Sequence, residues 1–224
     1  MVERIERPDP RWTAVDTYIA DRLLGDEPAL SGALHANAAA GLPDIDVSPA
    51  QGRMLHLFVR MTGAKRVLEV GTLGGYSAVE LARALAANGR LTTLEIDPHH
   101  AAIAQENIAR AGLADRVEVL VGPAAETLKT LTGCYDLVFI DADKPSNVAY
   151  LREALRLSRA GTTIIVDNVI REGGVLDANS ADDRIRGTRA LFDAIAAEPR
   201  LTATAIQTVG AKKWDGFVLA VVNG

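Results

Sequence analysis

The sequence predicts an α/β domain: a seven-stranded, mostly parallel sheet with an antiparallel last strand, helices on both faces and a helical preface. Three observations predict it. From Lys65 onward, short apolar runs alternate with stretches of helical period, which implies parallel strands joined by helices covering both faces. Arg66–Ala78 reads RVLEVGTLGGYSA: an apolar strand, a turn with glycines at 71, 74 and 75, and the start of a helix. The last two apolar runs, Leu201–Val209 and Gly216–Val222, are separated only by Gly210–Asp215. A parallel crossover needs a dozen or more residues, so these two runs must pair antiparallel.

In chain order, residues 1–10 are charged and carry prolines, and predict a loose arm. Trp12, Val15, Ile19, Leu23 and Leu24 recur at helical spacing within Arg11–Leu24, and Ala29–Ala40 repeats the pattern before Gly41-Leu42-Pro43 ends it. Ser48 is a good N-cap, with Pro49 at the first position of a helix running to Gly63. Residues 1–64 hold no strand and form the preface; 65–224 form the core of one domain. Core strands are expected at Arg66–Val70, Arg90–Ile96, Val117–Val121, Leu137–Ile140 and Thr162–Val166. Helices are expected at Ser77–Ala87, Pro98–Ala111, Ala124–Leu131, Asn147–Leu157 and Gly187–Ala197.

Composition narrows the function classes. With 224 residues, 48% hydrophobic and 24% charged, the chain can bury a substantial core. A formal charge of −5 argues against a nucleic-acid surface. Arg184, Arg186 and Arg189 alternate with Asp182 and Asp183 and read as a solvated helix face. One cysteine, Cys134, excludes an intrachain disulfide and a cysteine-rich zinc site; beside Tyr135 it reads as a packing residue. No apolar run is long enough to span a membrane and the N-terminus lacks a signal-peptide pattern, so a cytoplasmic location is expected.

Ligands of open α/β sheets sit beyond the carboxyl ends of the strands. There the first strand delivers Glu69 and the glycine turn with Thr72 and Ser77. A helix N-terminus behind such a turn lets backbone N–H groups approach a ligand. The second strand delivers Glu95, 24 residues past Gly71, a distance that suits a carboxylate taking ribose hydroxyls. Asp97 before Pro98 fits an N-cap instead. The third delivers the small-residue turn Gly122-Pro123-Ala124. The fourth ends in Asp141-Ala142-Asp143-Lys144 and the fifth in Asp167-Asn168. Asp141, Asp167 and Asn168 together make three hard oxygen ligands suited to Mg²⁺, or to Ca²⁺ or Mn²⁺, and unsuited to zinc. Lys144, partly buried next to such a cation, suits a general base. None of the four histidines falls at a strand's carboxyl end.

VLEVGTLGGYSA, LEIDP, DLVFIDADK and IIVDNV, preceded by VSPAQG, stand here in an order and spacing that resembles the cation-dependent O-methyltransferases of the catechol and caffeoyl-coenzyme-A type. The match runs from about Val47 to the C-terminus. It implies the Rossmann-like fold of S-adenosylmethionine (SAM) methyltransferases. It implies that Val47, Glu69, Gly71, Thr72, Ser77, Glu95 and Ala124 hold SAM, with Asp141 near the cofactor as well. Glu69 would lie near the methionine amine and Glu95 at the ribose. Asp141, Asp167 and Asn168 would bind the divalent cation, Lys144 would be the base, and the acceptor would be a small hydroxylated aromatic such as a catechol. A homodimer with the N-terminal helices near the substrate entrance is a further implication.

After Asp-Asn-Val the family often places an aromatic residue, where this chain has Arg171; the expectation is that Arg171 faces the entrance and favours a carboxylated acceptor. Two other readings stay open at this point. An NAD-dependent oxidoreductase would use the glycine turn and Glu95, but the C-terminal hairpin and the oxygen set count against it. A non-catalytic SAM-binding module would leave Asp141, Lys144, Asp167 and Asn168 without a task.

Overall fold

The computed structural model describes residues 9–224; the expected arm at 1–8 lies outside them. The preface is helical as expected: α1 (Pro10–Ile19), continued by a π-helical turn at Ala20–Leu24, α2 (Pro28–Ala39) and α3 (Pro49–Thr62). Ser48 caps α3 by accepting from Gln51 N, and Gly63 ends it in the left-handed conformation.

The core alternates β1 (Arg66–Val70), α4 (Tyr76–Ala84), β2 (Arg90–Glu95), α5 (Pro98–Arg110), β3 (Val117–Val121), α6 (Ala124–Thr130), β4 (Leu137–Ile140), α7 (Asn147–Arg156), β5 (Thr163–Asp167), α8 (Asp183–Ala196), β6 (Leu201–Gly210) and β7 (Lys213–Val222). Short 3₁₀ turns lie at Lys144–Ser146 and Gly174–Leu176. The sheet order is β3-β2-β1-β4-β5-β7-β6. Only β7 is reversed: it pairs antiparallel with both β5 and β6. The chain leaves β1 in one direction for β2 and β3, then returns to the other side for β4 and β5. This is a topological switch point, where a crevice opens.

Strand alternation builds two apolar layers. Val67, Leu137, Phe139, Ile165 and Phe217 face the layer shared with α3, α4 and α5. Leu68, Val70, Val138, Ile140, Ile164 and Val166 face the layer shared with α6, α7 and α8. Each fully buried large side chain contributes roughly 1.5–3 kcal/mol, so register is strongly specified. That register pairs Val70 with Ile140 and Ile140 with Val166. Gly71, Asp141 and Asp167 therefore emerge side by side at the crevice.

Three boundaries differ from expectation by three residues or more. Helix α4 ends at Ala84, β7 starts at Lys213 instead of Gly216, and α8 starts at Asp183, capped by Asp182, one turn before the expected Gly187. Cys134 is exposed rather than packed, because it lies in the loop just before Tyr135, whose ring is the buried one. No helix among the described residues is long and apolar enough to cross a membrane.

Candidate active site

The turn after β1 needs its glycines. Gly71 has φ +100°, and a Cβ there would overlap the Asp141 carbonyl of the neighbouring strand. Gly75, at φ +84°, leads into α4. Between them Leu73 is held at φ +49°. What holds it is Glu95, whose Oε2 accepts from Thr72 N at 3.2 Å and from Leu73 N at 2.7 Å, while Oε1 accepts from Asp97 N at 3.0 Å. Asp97 caps α5, as its position before Pro98 predicts.

Glu69 shares the apolar face of Val67 and is fully buried. Thr93 Oγ1 donates to its Oε2 at 2.6 Å, while Oε1 has no partner. Burial pushes the carboxyl up to about 7; the neighbouring Ser77 and Thr93 hydroxyls oppose this, and the charges of Asp141 and Glu95 add to it.

At the end of β4, Lys144 Nζ donates to Asp141 Oδ1 at 2.9 Å, and the lysine is only 6% exposed. The adjacent Asp143 caps the 3₁₀ turn and accepts from the Tyr150 hydroxyl. Gly187 of α8 lies directly on the Lys144 carbonyl, with no space for a Cβ. Asp167 is 3% exposed. Burial first, and then the Asp141 charge, push its carboxyl up, against the pull of Lys144. Asn168 follows in the left-handed region at φ +55°, as do Arg171 and Glu172 at +57° and +56°. Such conformations in non-glycine residues persist only where neighbours over-determine them. Here Asp215, at the start of β7, does so: its Oδ1 accepts from Ile170 N at 2.9 Å, Arg171 N at 3.1 Å and Gly216 N at 3.0 Å.

These elements enclose a cavity of about 730 Å³. Val47, Gly71, Thr72, Ser77, Glu95, Ala124, Asp141, Lys144 and Asn168 all line it. Glu69 and Asp167 are not on its wall; they are buried beside residues that are, Glu69 through Thr93 and Thr72, Asp167 through Asn168. His100, Tyr150, Arg171 and Arg184 line it as well. Two of these correct the sequence reading. His100 reaches the cavity from the first turn of α5, its Nδ1 3.8 Å from Glu95 Oε1, so a helix start can serve the strand edge that precedes it. Arg184 reaches it from the first turn of α8, so that turn is not only a solvated face. Among the described residues no three His, Cys, Asp or Glu side chains cluster as for a metal; the candidate set is two carboxylates and the Asn168 amide.

An O-methyltransferase family model matches residues 25–221. A catechol O-methyltransferase of Mycobacterium tuberculosis is 53% identical over 97% of this chain and 98% of its own length. One from Niastella koreensis is 49% identical over 95% and 98%. Among solved structures, an O-methyltransferase from Bacillus cereus in complex with SAH superposes with a TM-score of 0.94 at 52% identity, covering 96% of this chain and 99% of that one. TomG of Streptomyces achromogenes, in complex with SAM, superposes with a TM-score of 0.93 at 44% identity over the whole of both chains. These matches set aside the oxidoreductase and the non-catalytic module, and the chain belongs to the O-methyltransferase family.

Proposed function

We propose that this O-methyltransferase transfers the methyl group of SAM to one hydroxyl of a vicinal dihydroxy aromatic, with Lys144 as base and a divalent cation, Mg²⁺ first, at Asp141, Asp167 and Asn168. One observation carries the reading: the glycine turn with Glu95 and the Asp141–Lys144 pair with Asn168 line the same cavity. SAM-bound and SAH-bound relatives of the same fold support the cofactor, and relatives named catechol O-methyltransferases support the acceptor.

The residues fit a cation. Asp167 is a buried carboxylate beside a second carboxylate, an arrangement that raises its proton affinity and that a hard cation stabilises. Two carboxylates and an amide oxygen leave room for an acceptor's oxygens or water, as Mg²⁺ requires. When bound, such an ion supplies Lewis-acid polarisation of an acceptor hydroxyl. The chain's own groups do the rest. Ser77 faces the amine end of the cofactor, with the Glu69 carboxyl buried behind this wall, and Glu95 faces its ribose. Ala124 and Val47 supply close-fitting small and apolar walls. Lys144, positioned by Asp141, takes the hydroxyl proton on Nζ. The acceptor oxygen forms the new O–CH₃ bond as the S–CH₃ bond breaks and sulfur keeps that electron pair. Alignment of the reacting atoms is worth roughly 7–11 kcal/mol in well-oriented cases.

Calorimetric titration with SAM, then methylation of catechol, caffeate and esculetin with Mg²⁺ or with EDTA, tests this. Turnover is expected to vanish with EDTA and in Asp141→Ala. Metal-indifferent turnover would make the three oxygens structural, and absence of SAM binding would sink the whole reading. Exposed Leu23, Leu57 and Met61 on the preface helices support pairing of two chains through this region, which light scattering would reveal as a dimer mass.

A further inference from the structure

Four side chains able to carry positive charge line the cavity: His100, Lys144, Arg171 and Arg184. Three are committed. Lys144 is paired with Asp141 at 2.9 Å. Arg184 gives Nε and Nη2 to the two oxygens of Asp182, at 3.0 and 2.7 Å. His100 stands between Glu95 and Asp97, on the side of β2.

Arg171 is different. Its side chain is only 25% exposed, its nearest carboxylate oxygen is Asp215 Oδ2 at 3.9 Å, and among the described residues its guanidinium donates no hydrogen bond. The other oxygen of Asp215 takes three backbone N–H groups, of the 170–171 turn and of Gly216, so Asp215 faces the guanidinium only through Oδ2, at ion-pair range and beyond hydrogen-bond distance. A guanidinium has five donors in a rigid fork. Withdrawing it from water without replacing those bonds is unfavourable, and a ligand that accepts them in the cavity recovers the loss.

Location selects the ligand. Arg171 follows Asn168 on the β5 side, whereas the residues read as holding SAM come from Val47, from β1 to β3 and the turns after them, and from Asp141 of β4, which stands between β1 and β5. An anion at Arg171 therefore belongs to the acceptor. The flat fork matches a carboxylate, which it can hold by two parallel hydrogen bonds. The left-handed backbone at 171 and 172, pinned by Asp215, presents this fork from a fixed base. We propose that Arg171 selects acceptors whose dihydroxy ring carries a carboxylate. This rests on the reading of the acceptor as a vicinal dihydroxy aromatic.

The test compares kcat and KM for 3,4-dihydroxybenzoate, its methyl ester and catechol in the wild type, Arg171→Ala and Arg171→Lys, with SAM affinity measured by calorimetry for each. The ester keeps the ring and its size and removes the charge. The wild type is expected to prefer acid over ester by at least tenfold in kcat/KM. Arg171→Ala should lower that ratio at least tenfold, chiefly through KM for the acid, and Arg171→Lys should fall between, because it keeps charge and loses the fork. SAM affinity should stay within about twofold. A ratio that does not move, with all three acceptors still methylated, overturns this proposal and leaves the reaction standing. A loss of SAM affinity matching the loss on the acid overturns it too, by placing Arg171 at the cofactor. A wild type that binds SAM and methylates none of the three removes the acceptor reading and this proposal with it. Should Arg171→Ala not fold, Arg171→Lys decides by the same ratio.

Discussion

Lys144 and Asp141 are three positions apart, and the tight exit from β4 is what turns that spacing into a buried ion pair. General bases contribute roughly 10²–10⁴-fold. Lys144→Met is therefore expected to lower kcat by that range while calorimetric SAM affinity stays within a few-fold; a comparable loss in SAM affinity would make the lysine a binding residue instead. Glu69 gives a prediction in pH. Its carboxyl is raised from 4.5 to about 7 in the folded chain, so between these values the folded state holds a proton that the unfolded state has released. Its contribution to stability is present below about pH 4.5 and is lost as pH rises through about 7. Glu69→Gln has no proton to lose. In the cofactor-free protein its stability relative to wild type should rise from pH 5 to pH 8, by up to about 1.4 kcal/mol per pH unit; a flat difference in denaturation midpoints would refute it. Glu69, Glu95, Asp141, Asp167 and Asn168 were legible in the sequence because a strand's carboxyl end and its acidic residue are chain neighbours. Arg184 was not, since only tertiary packing brings it to the cavity, and Asp215 was not, since only strand pairing sets it against the Arg171 turn; His100 was passed over although it stands one helical turn past the end of β2.

Helix α8 shows why its own start escaped the sequence. A glycine inside a helix is unfavourable by roughly 1 kcal/mol relative to alanine, so Gly187 reads as a boundary, yet it lies inside α8, which begins at Asp183. Its absent side chain is what lets the helix backbone rest on the Lys144 carbonyl. Gly187→Ala improves helix propensity and creates a clash with backbone. The clash should win: a lower melting temperature, by about 1–3 kcal/mol of stability, and a lower kcat with SAM affinity retained. A raised melting temperature would show that the turn carrying Lys144 yields freely. The β1–α4 unit was legible except for the end of α4, because strand, glycine turn and helix start each leave a local signal.

Across the molecule, the preface is tied to the glycine turn by buried amides. Asn107 of α5 donates to Asn37 Oδ1 of α2 at 3.0 Å and to Gly74 O at 2.8 Å, and Asn37 donates to Asp46 at 3.0 Å. Asn107→Ala strands two of these acceptors and should cost about 1–3 kcal/mol in urea denaturation, with one cooperative transition; two separate transitions would mean that preface and core unfold independently. Nothing in the spacing of Asn37 and Asn107 along the chain announced this junction, whereas the antiparallel hairpin followed from its loop length. The placement of β7 has a further consequence for how the chain is made. It is inserted between β5 and β6, and it brings Asp215 to the turn bearing Arg171. A nascent chain that has reached only residue 212 already contains every residue read as a cofactor or cation ligand. It still presents the apolar edge of β5 uncovered and the Arg171 turn unpinned, so during synthesis the acceptor wall is the last part of the cavity to set, and residues 213–222 are the stretch whose delay would most expose the chain to wrong strand pairing.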